Sequence, residues 1–422
     1  MLSRIARDAR PRAVLLGSLL VLHAGLWAIA LRIEPTLTPA RQLIAEGFST
    51  FAVVSMSVNL MLSTRARPLE RSLQGLDKLF VTHRSIGLSV AAMVSIHATL
   101  VLKTPGYVIA KPFGYTTLTL LLTAVFLASA PRFPWRRLVP LEYHVWKFTH
   151  RFMGVIVALA VTHSLLGHPY VRTVPMLRIY VYSFATVGLA AWLYRELLFA
   201  RTGPFHGYSV GHTQVLGGEV TEIQLASSAG LNRAAGQFAF AVFERGPSRE
   251  QHPFTISSGS QNDVRFSIKA SGDFTEQLLS GVPERSKVRV EGPYGAFDFR
   301  RGKRRQLWLA GGIGITPFLA MAEDLDAETS VLLIWSVHEA KDAVYEQELS
   351  RLGREKPNLD FRLHSTTERG HLDLGTLDVD GDPREFSAFI CGPVPLRKVL
   401  LRQLKSIGVP RSEIFFEEFR LR

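Results

Sequence analysis

Six apolar runs fill the first 200 residues, at about 13–31, 42–62, 79–102, 115–130, 148–166 and 178–199. A helix rises ~1.5 Å per residue and a hydrocarbon core is ~30 Å thick, so each run is predicted to be a membrane-spanning helix. The pattern then changes. From about 206 to 299, short runs alternate apolar and polar positions, as in GEVTEIQLAS and QFAFAVFE, with turns of Gly, Ser and Pro between them. This predicts a small antiparallel β-barrel. After Arg305, apolar strands alternate with helical stretches, the βα pattern of a parallel sheet. The expected architecture is an all-α six-helix membrane bundle over 1–200, an antiparallel β-barrel over 201–302 and an α/β domain over 303–422.

Polar positions inside the apolar runs carry the chemistry. His83 and His97 stand 14 residues apart in the third run. On a helix that is ~21 Å of rise and only ~40° around the axis, so one face carries an imidazole near each leaflet. The fifth run repeats the arrangement with His150 and His163. Ionisable groups in a bilayer are expensive and mark function. Two such helices face to face can hold two stacked haems, each gripped by one histidine from either side. His150 and His163 are 13 residues apart, however, which on an ideal helix sets their rings ~140° apart. Both can face one partner helix only through a π-bulge or local unwinding, with Gly154 as a place for it, or if the rings reach round. A lone histidine such as His23 reads instead as a polar group bonded to a neighbouring helix. His144 and His168 lie at membrane boundaries and read as interfacial.

Charge sets direction. The formal balance is +13, which in isolation could suggest nucleic acid. Much of it sits in short loops: Arg65, Arg67, Arg71 and Lys78 in one, and Arg132, Arg136, Arg137 and Lys147 in another. Arg4, Arg7, Arg10 and Arg12 precede the first run, and the alternate loops are poorer in Lys and Arg. That is the positive-inside pattern, so the partner is a lipid bilayer and not nucleic acid. It places the N-terminus, the basic loops and everything after residue 200 in the cytoplasm. His83 then pairs in depth with His150 near the inside, and His97 with His163 near the outside. Ala28-Ile29-Ala30 looks like a cleavage site, but the run spans and more spans follow, so an uncleaved first helix is expected. The single cysteine, Cys391, excludes an intrachain disulfide and a thiolate metal cluster.

The spacing of the four histidines resembles the ferric reductase-like transmembrane domain shared by NADPH oxidases and metalloreductases. The later motifs extend this resemblance. His252-Pro253-Phe254-Thr255-Ile256-Ser257-Ser258 offers aromatic, imidazole and hydroxyl groups that can flank a flavin ring and bond its ribityl chain. FSIKASGDFTEQLL follows, a strand and then a helix. Gly272 permits a tight turn, and Asp273 and Glu276 are spaced as a capping box. The first helical N–H groups, with Lys269, suit a pyrophosphate. Both segments look like the FAD-binding motifs of the ferredoxin–NADP reductase family. The resemblance implies that His252, Pro253, Phe254, Thr255 and Ser257 line the flavin, with Lys269, Gly272, Phe274 and Thr275 around its phosphates. Glu291-Gly292-Pro293-Tyr294-Gly295 resembles the turn that closes this barrel.

An apolar strand at 306–310 leads into Gly311-Gly312-Ile313-Gly314-Ile315-Thr316-Pro317-Phe318. Glycines let a pyrophosphate approach the backbone, and Thr316-Pro317 suits an N-cap and a first helical position. This segment is close to the nicotinamide-nucleotide motif of the same family. Phe389-Ile390-Cys391-Gly392-Pro393 resembles the turn beside the nicotinamide, and Cys391 also reads as a small buried apolar residue. The family often grips the 2′-phosphate of NADPH with a serine and an arginine. Here Ser336 is present, His338 stands at the arginine position and Lys341 is nearby. No acidic residue ends the strand itself to take a free ribose. NADPH is therefore the expected donor, with NADH the alternative. In FFEEFRLR, Phe419 matches the family's terminal aromatic, which stacks on the flavin.

The resemblance runs from about 43 to 422 and is strongest to the short bacterial NADPH oxidases, which lack calcium-binding domains. It implies a multi-pass enzyme of a bacterial inner membrane with its dehydrogenase half in the cytoplasm. Electrons from NAD(P)H would pass through FAD and two b-type haems to an outside acceptor. Oxygen, giving superoxide, is the first expectation. A ferric chelate, or a periplasmic redox partner protein, is the alternative.

Overall fold

The computed structural model describes residues 2–101, 108–129, 143–167, 169–227, 230–244, 251–258, 263–376 and 382–417. The chain forms two compact units, one over Ala9–Gly203 and one that includes Pro204–Arg422.

In the first unit, six helices are long and apolar enough to cross a membrane: Pro11–Ile33, Ala40–Ser63, Leu76–Val101, Ala110–Ser129, Val145–Gly167 and Pro175–Thr202. They correspond to the six apolar runs, with shifted ends. The fourth begins at Ala110 instead of about 115. Pro112 falls in its first turn, where the missing N–H has no helical partner to lose. The second span is the most enclosed, packing against the third, fifth and sixth. The sixth span approaches it closely: a Cβ on Gly188 would lie 2.7 Å from the Ser57 Cα. Small residues at the contact let the two backbones meet, as is usual between membrane helices.

The fifth span is broken. One helix runs Tyr143–His150 and a second runs Met153–Gly167, with Arg151 and Phe152 between them. The expected irregularity therefore exists, but it precedes Gly154. At the break, hydrogen bonds step back three residues where a helix steps four: Phe152 N–H donates to Thr149 at 3.2 Å and Val155 N–H to Phe152 at 2.9 Å. This local rewinding re-phases His150 against His163, so both can face the third span.

In the second unit, six strands form one curled antiparallel sheet: β1 (Phe205–Leu216), β2 (Val220–Ala226), β3 (Phe238–Phe243), β4 (His252–Thr255), β5 (Asp263–Lys269) and β6 (Lys287–Tyr294). Their order is β4-β3-β6-β1-β2-β5. A bridge between Ile256 and Phe266 joins the two edges and curls the sheet toward a barrel. The Glu291–Tyr294 segment, expected as a closing turn, is instead the end of β6. Its Tyr294 hydroxyl donates to Glu291 Oε1 at 2.6 Å inside the barrel.

A parallel sheet follows, built from β7 (Arg305–Gly311), β8 (Ser330–Val337), β9 (Leu359–Ser365), β10 (Phe386–Cys391) and β11 (Ile414–Phe416). Its order is β11-β10-β7-β8-β9, with apolar cores on both faces, as a buried parallel sheet requires. The order reverses between β7 and β10. Ligands bind at such a switch point, outside the carboxyl ends of the strands.

Candidate functional site

The structure brings the four membrane histidines together in two pairs. The His83 and His150 ring centroids are 6.0 Å apart with planes at 71°. The His97 and His163 centroids are 6.1 Å apart at 79°. A metal held at about 2.0 Å by one nitrogen of each ring would put the centroids about 6 Å apart. His97 Nδ1 lies 2.8 Å from the Ala45 carbonyl, and His163 Nδ1 lies 2.9 Å from the Ala110 carbonyl. A carbonyl only accepts, so Nδ1 carries the proton in both rings and Nε2 carries the lone pair. This is how metal-binding histidines are oriented elsewhere. The fourth span presses on the second pair: a Cβ on Gly114 would stand 2.8 Å from the His163 ring. His97 and His163 also line a cavity with Val53, Met56, Val94 and Leu118. His23, by contrast, is buried with Nε2 3.1 Å from the Gly47 carbonyl, a histidine bonded to its neighbouring helix through one ring nitrogen. The His144 side chain and all of His168 lie outside the described residues.

In the barrel, β4 presents His252, Pro253 and Phe254 half-buried on one wall. The His252 ring stacks on Phe274 at 3.8 Å and 16°, so the two expected flavin motifs meet. Thr255 Oγ1 is buried without a hydrogen-bond partner among the described residues. Buried hydroxyls are normally paired, so this atom asks for a ligand. Ser257 lies deeper, its hydroxyl 2.9 Å from Ser267 Oγ and donating to the Arg265 carbonyl.

Two expectations are corrected here. The helix Asp273–Gln277 has Gly272 before it and no side-chain cap, so Asp273 is its first residue and not its cap. Thr275 closes that turn instead, accepting from Ser271 N–H at 2.8 Å and donating to the Gly272 carbonyl at 2.9 Å. Gly272 itself is extended, with open space around it, so the turn makes no demand for glycine there. Lys269 is exposed and pairs with Glu219 at 2.9 Å.

At the switch point, β7 ends in Gly311 and β10 in Cys391, with Ala310 opposite Cys391 in register. Their turns touch. A Cβ on Gly314 would lie 2.3 Å from the Cys391 carbonyl oxygen, and one on Gly392 would lie 3.1 Å from Gly311. Gly312 has φ +53° and open space above it. Its carbonyl accepts Trp335 Nε1–H at 2.8 Å, which fixes the loop. Thr316 and Pro317 are the first two helical residues, one place later than expected, with Ile315 before them. Ser336 pairs with Gly311 across β8 and β7, so it too reaches this crevice. His338 is exposed just past β8, and Lys341 pairs with Glu339 at 2.8 Å. Pro393 precedes the helix Val394–Ser406. Phe419 lies outside the described residues.

Three family models match the chain in this order: a ferric reductase-like transmembrane component over 48–161, an FAD-binding domain over 206–298 and an oxidoreductase NAD-binding domain over 308–400. The chain is a transmembrane oxidoreductase of the ferric reductase-like type. The first match contains His83, His97 and His150 and stops two residues short of His163. Among relatives, the glycine betaine monooxygenase reductase subunit of Pseudomonas aeruginosa is 30% identical over 206 residues, covering 44% of this chain and 55% of that protein. The putative respiratory burst oxidase homolog protein G of Arabidopsis thaliana is 26% identical over 208 residues, 44% of this chain and 24% of that one. The chain thus spans about half the length of the first of these, or less. The flavohem-like FAD/NAD-binding domain of nitric oxide dioxygenase from Vibrio cholerae O1 biovar El Tor superposes with a TM-score of 0.45 and 21% identity, covering 50% of this chain and 97% of that one.

Some residues of this oxidoreductase carry no local signal in the sequence. Arg265 donates to Glu348 through both terminal nitrogens, at 2.7 and 3.0 Å, and to the Ser257 carbonyl at 2.7 Å. Tyr345 donates to Ser267 Oγ at 2.6 Å, with Glu222 Oε2 at 3.1 Å. Together they tie the flavin strand to the nucleotide-binding sheet. Apart from Ser257, their partners lie 78 to 123 residues away in sequence, beyond any motif.

Cys391 is fully buried, and burial, reinforced by the Glu417 carboxylate, pushes its thiol well above the usual range. It is a neutral thiol, so any role beside the nicotinamide is steric rather than nucleophilic. Iodoacetamide at pH 8 is expected to leave it untouched until denaturant is added. Native-rate labelling would contradict the burial. The sign of the pH effect follows. An unfolded thiol ionises above about pH 8.5 and the folded one does not, so this contribution is intact below that pH and lost as pH rises.

Proposed function

We propose that this chain oxidises NADPH on the cytoplasmic face of a bacterial inner membrane and delivers its two electrons, singly, to oxygen on the far side. One NADPH and two oxygen molecules give NADP⁺, a proton and two superoxide ions. The observation that carries this reading is the pair of matched imidazole sites in the membrane, with rings 6.0 and 6.1 Å apart.

The residues fit two b-type haems. Among the described residues no group of three or more His, Cys, Asp or Glu is set for a bare ion. Two imidazoles are too few for a zinc-like ion, which takes about four ligands, but each pair would suffice to hold a haem iron, whose ring would supply the remaining ligands. His83 with His150 would hold one and His97 with His163 the other. The orphaned Thr255 hydroxyl beside stacked His252 and Phe274 fits FAD. FAD turns a two-electron hydride donor into a one-electron source, and haem carries single electrons.

The chain's own groups then have these roles. His252, Pro253, Phe254 and Thr255 hold the flavin face, supported by Ser257. Lys269, Gly272, Phe274 and Thr275 face its phosphates. Gly311, Gly312, Gly314, Thr316 and Pro317 receive the nicotinamide nucleotide, and Cys391, Gly392 and Pro393 border its ring. Ser336, His338 and Lys341 take the 2′-phosphate. The Glu339 side chain accepts from the backbone in its own capping box with Asp342, which disfavours its gripping a free ribose. Phe419 stacks on the flavin and yields to nicotinamide. The divisions 1–200, 201–302 and 303–422 separate these tasks, and the basic loops support a cytoplasmic dehydrogenase half.

The test is the purified protein supplied with NADPH. Superoxide-dismutase-sensitive dye reduction in air should exceed ferric-citrate reduction without air. Faster ferric-citrate reduction would move the assignment to a metal-chelate reductase. Turnover of neither acceptor would leave a partner protein as the electron sink and overturn the oxygen reading.

A further inference from the structure

The break in the fifth span comes immediately after His150, and the sixth span holds it. At the break, Val155 N–H donates to Phe152, so the Arg151 carbonyl loses its ordinary helical donor. That carbonyl instead accepts Trp192 Nε1–H at 2.8 Å. The indole lies directly over Gly154: a Cβ there would stand 2.0 Å from Trp192 Cδ2 and 2.4 Å from Cε2. The Arg151 side chain is held as well, with Nε donating to Glu196 Oε2 at 2.6 Å. Glu196 sits in a π-helical turn, Tyr194–Leu198, where the sixth span widens by one residue. π-Turns inside helices mark functional sites often enough to need a reason. Here the turn places Glu196 one step beyond Trp192 on the side that faces Arg151. Backbone, side chain and the neighbouring glycine are thus all engaged by two residues of a different helix.

We propose that Trp192 and Glu196 are positioning residues for His150, fixing the rewound turn that brings its ring opposite His83. The inference rests on the haem reading above and deepens it. An unbroken helix would point His150 and His163 ~140° apart, so only one could meet the third span. The indole supplies what the break removes, a donor for Arg151 and a plug for the space that Gly154 leaves. The ion pair stops the Arg151 turn from rotating back. Gly154 acquires a specific role in turn: it admits the indole, and it is not itself the irregular residue.

The experiment uses the full chain in detergent and reads haem content, low-spin haem spectra and midpoint potentials alongside activity. Trp192→Phe keeps most of the ring and deletes the N–H. Gly154→Ala keeps the N–H and displaces the ring. Glu196→Gln removes the charge, and Glu196→Asp restores it. Trp192→Phe, Gly154→Ala and Glu196→Gln should each alter the His83/His150 haem, lowering the haem ratio from two per chain toward one or converting that haem from low spin to high spin. Glu196→Asp should recover the wild-type spectrum. The His97/His163 haem should keep its spectrum and potential in every variant, and it reports that the bundle is folded. A His150→Ala sample identifies which spectral component is lost. If that sample loses one haem while Trp192→Phe and Gly154→Ala keep both with unchanged spectra and potentials, the positioning role is wrong and the haem assignment stands. If the wild type carries no haem, the underlying reading fails first.

Discussion

A His97→Ala variant is expected to bind one haem instead of two and to lose electron delivery to any outside acceptor, while NADPH still reduces its flavin. The His97 ring is held by the Ala45 carbonyl at 2.8 Å and faces His163 with centroids 6.1 Å apart. Alanine removes the ligand and leaves His163 facing empty space in the cavity the two rings line. Loss of one of two axial ligands should lower acceptor reduction by at least about 100-fold, the upper range seen when a metal site loses a supporting group. Flavin bleaching by NADPH depends on the β4 wall and the β7 and β10 turns, which belong to the other compact unit. The pyridine haemochromogen ratio, stopped-flow flavin absorbance and acceptor assays separate these steps. Two haems per chain in the variant would refute the ligand assignment.

Gly314→Ala should produce the mirror-image phenotype. Its Cβ would meet the Cys391 carbonyl oxygen at 2.3 Å and the Gly392 nitrogen at 2.8 Å. Both are backbone atoms at the ends of central strands, so neither can swing away. The β7 and β10 turns must separate, and they border the same crevice at the switch point. Overpacking of this kind costs about 1–3 kcal/mol. The displaced nucleotide site should lose hydride transfer by about 100-fold, the cost of roughly 1 Å of misplacement. Both haems should remain and be reduced normally by dithionite. Gly312→Ala is the control. That position has a positive φ but open space, so it should cost only about 1 kcal/mol and leave the neighbouring turns in contact. If Gly314→Ala keeps wild-type NADPH-dependent flavin reduction, the contact between the two turns does not shape the nucleotide site.

The histidine pairs show how far sequence reasoning reaches. Their partners and depths follow from spacing and loop charge, because a helix has a fixed rise and a membrane a fixed thickness. The 13-residue spacing signalled that a break was needed, but not where. Its place depends on which neighbour can satisfy a released carbonyl, and Trp192 lies 41 residues from Arg151. The strand at 252–255 and the glycine-rich turn after β7 were legible because each is one strand and its turn. The cap on the short helix after β5 was misread for a local reason. The pattern Asp273–Glu276 permits a capping box, yet the Thr275 hydroxyl already closes the turn.

The sequence by itself determined six candidate membrane spans, a barrel, a parallel sheet and their order. Each of these is a periodicity or a short motif, set by contacts within a few residues. The tertiary structure decided what joins the pieces: Arg265 and Tyr345 across the dehydrogenase half, Gly314 against Cys391, and Trp192 over Gly154. Such contacts depend on the space left between separate elements, which no local pattern encodes until the chain has folded.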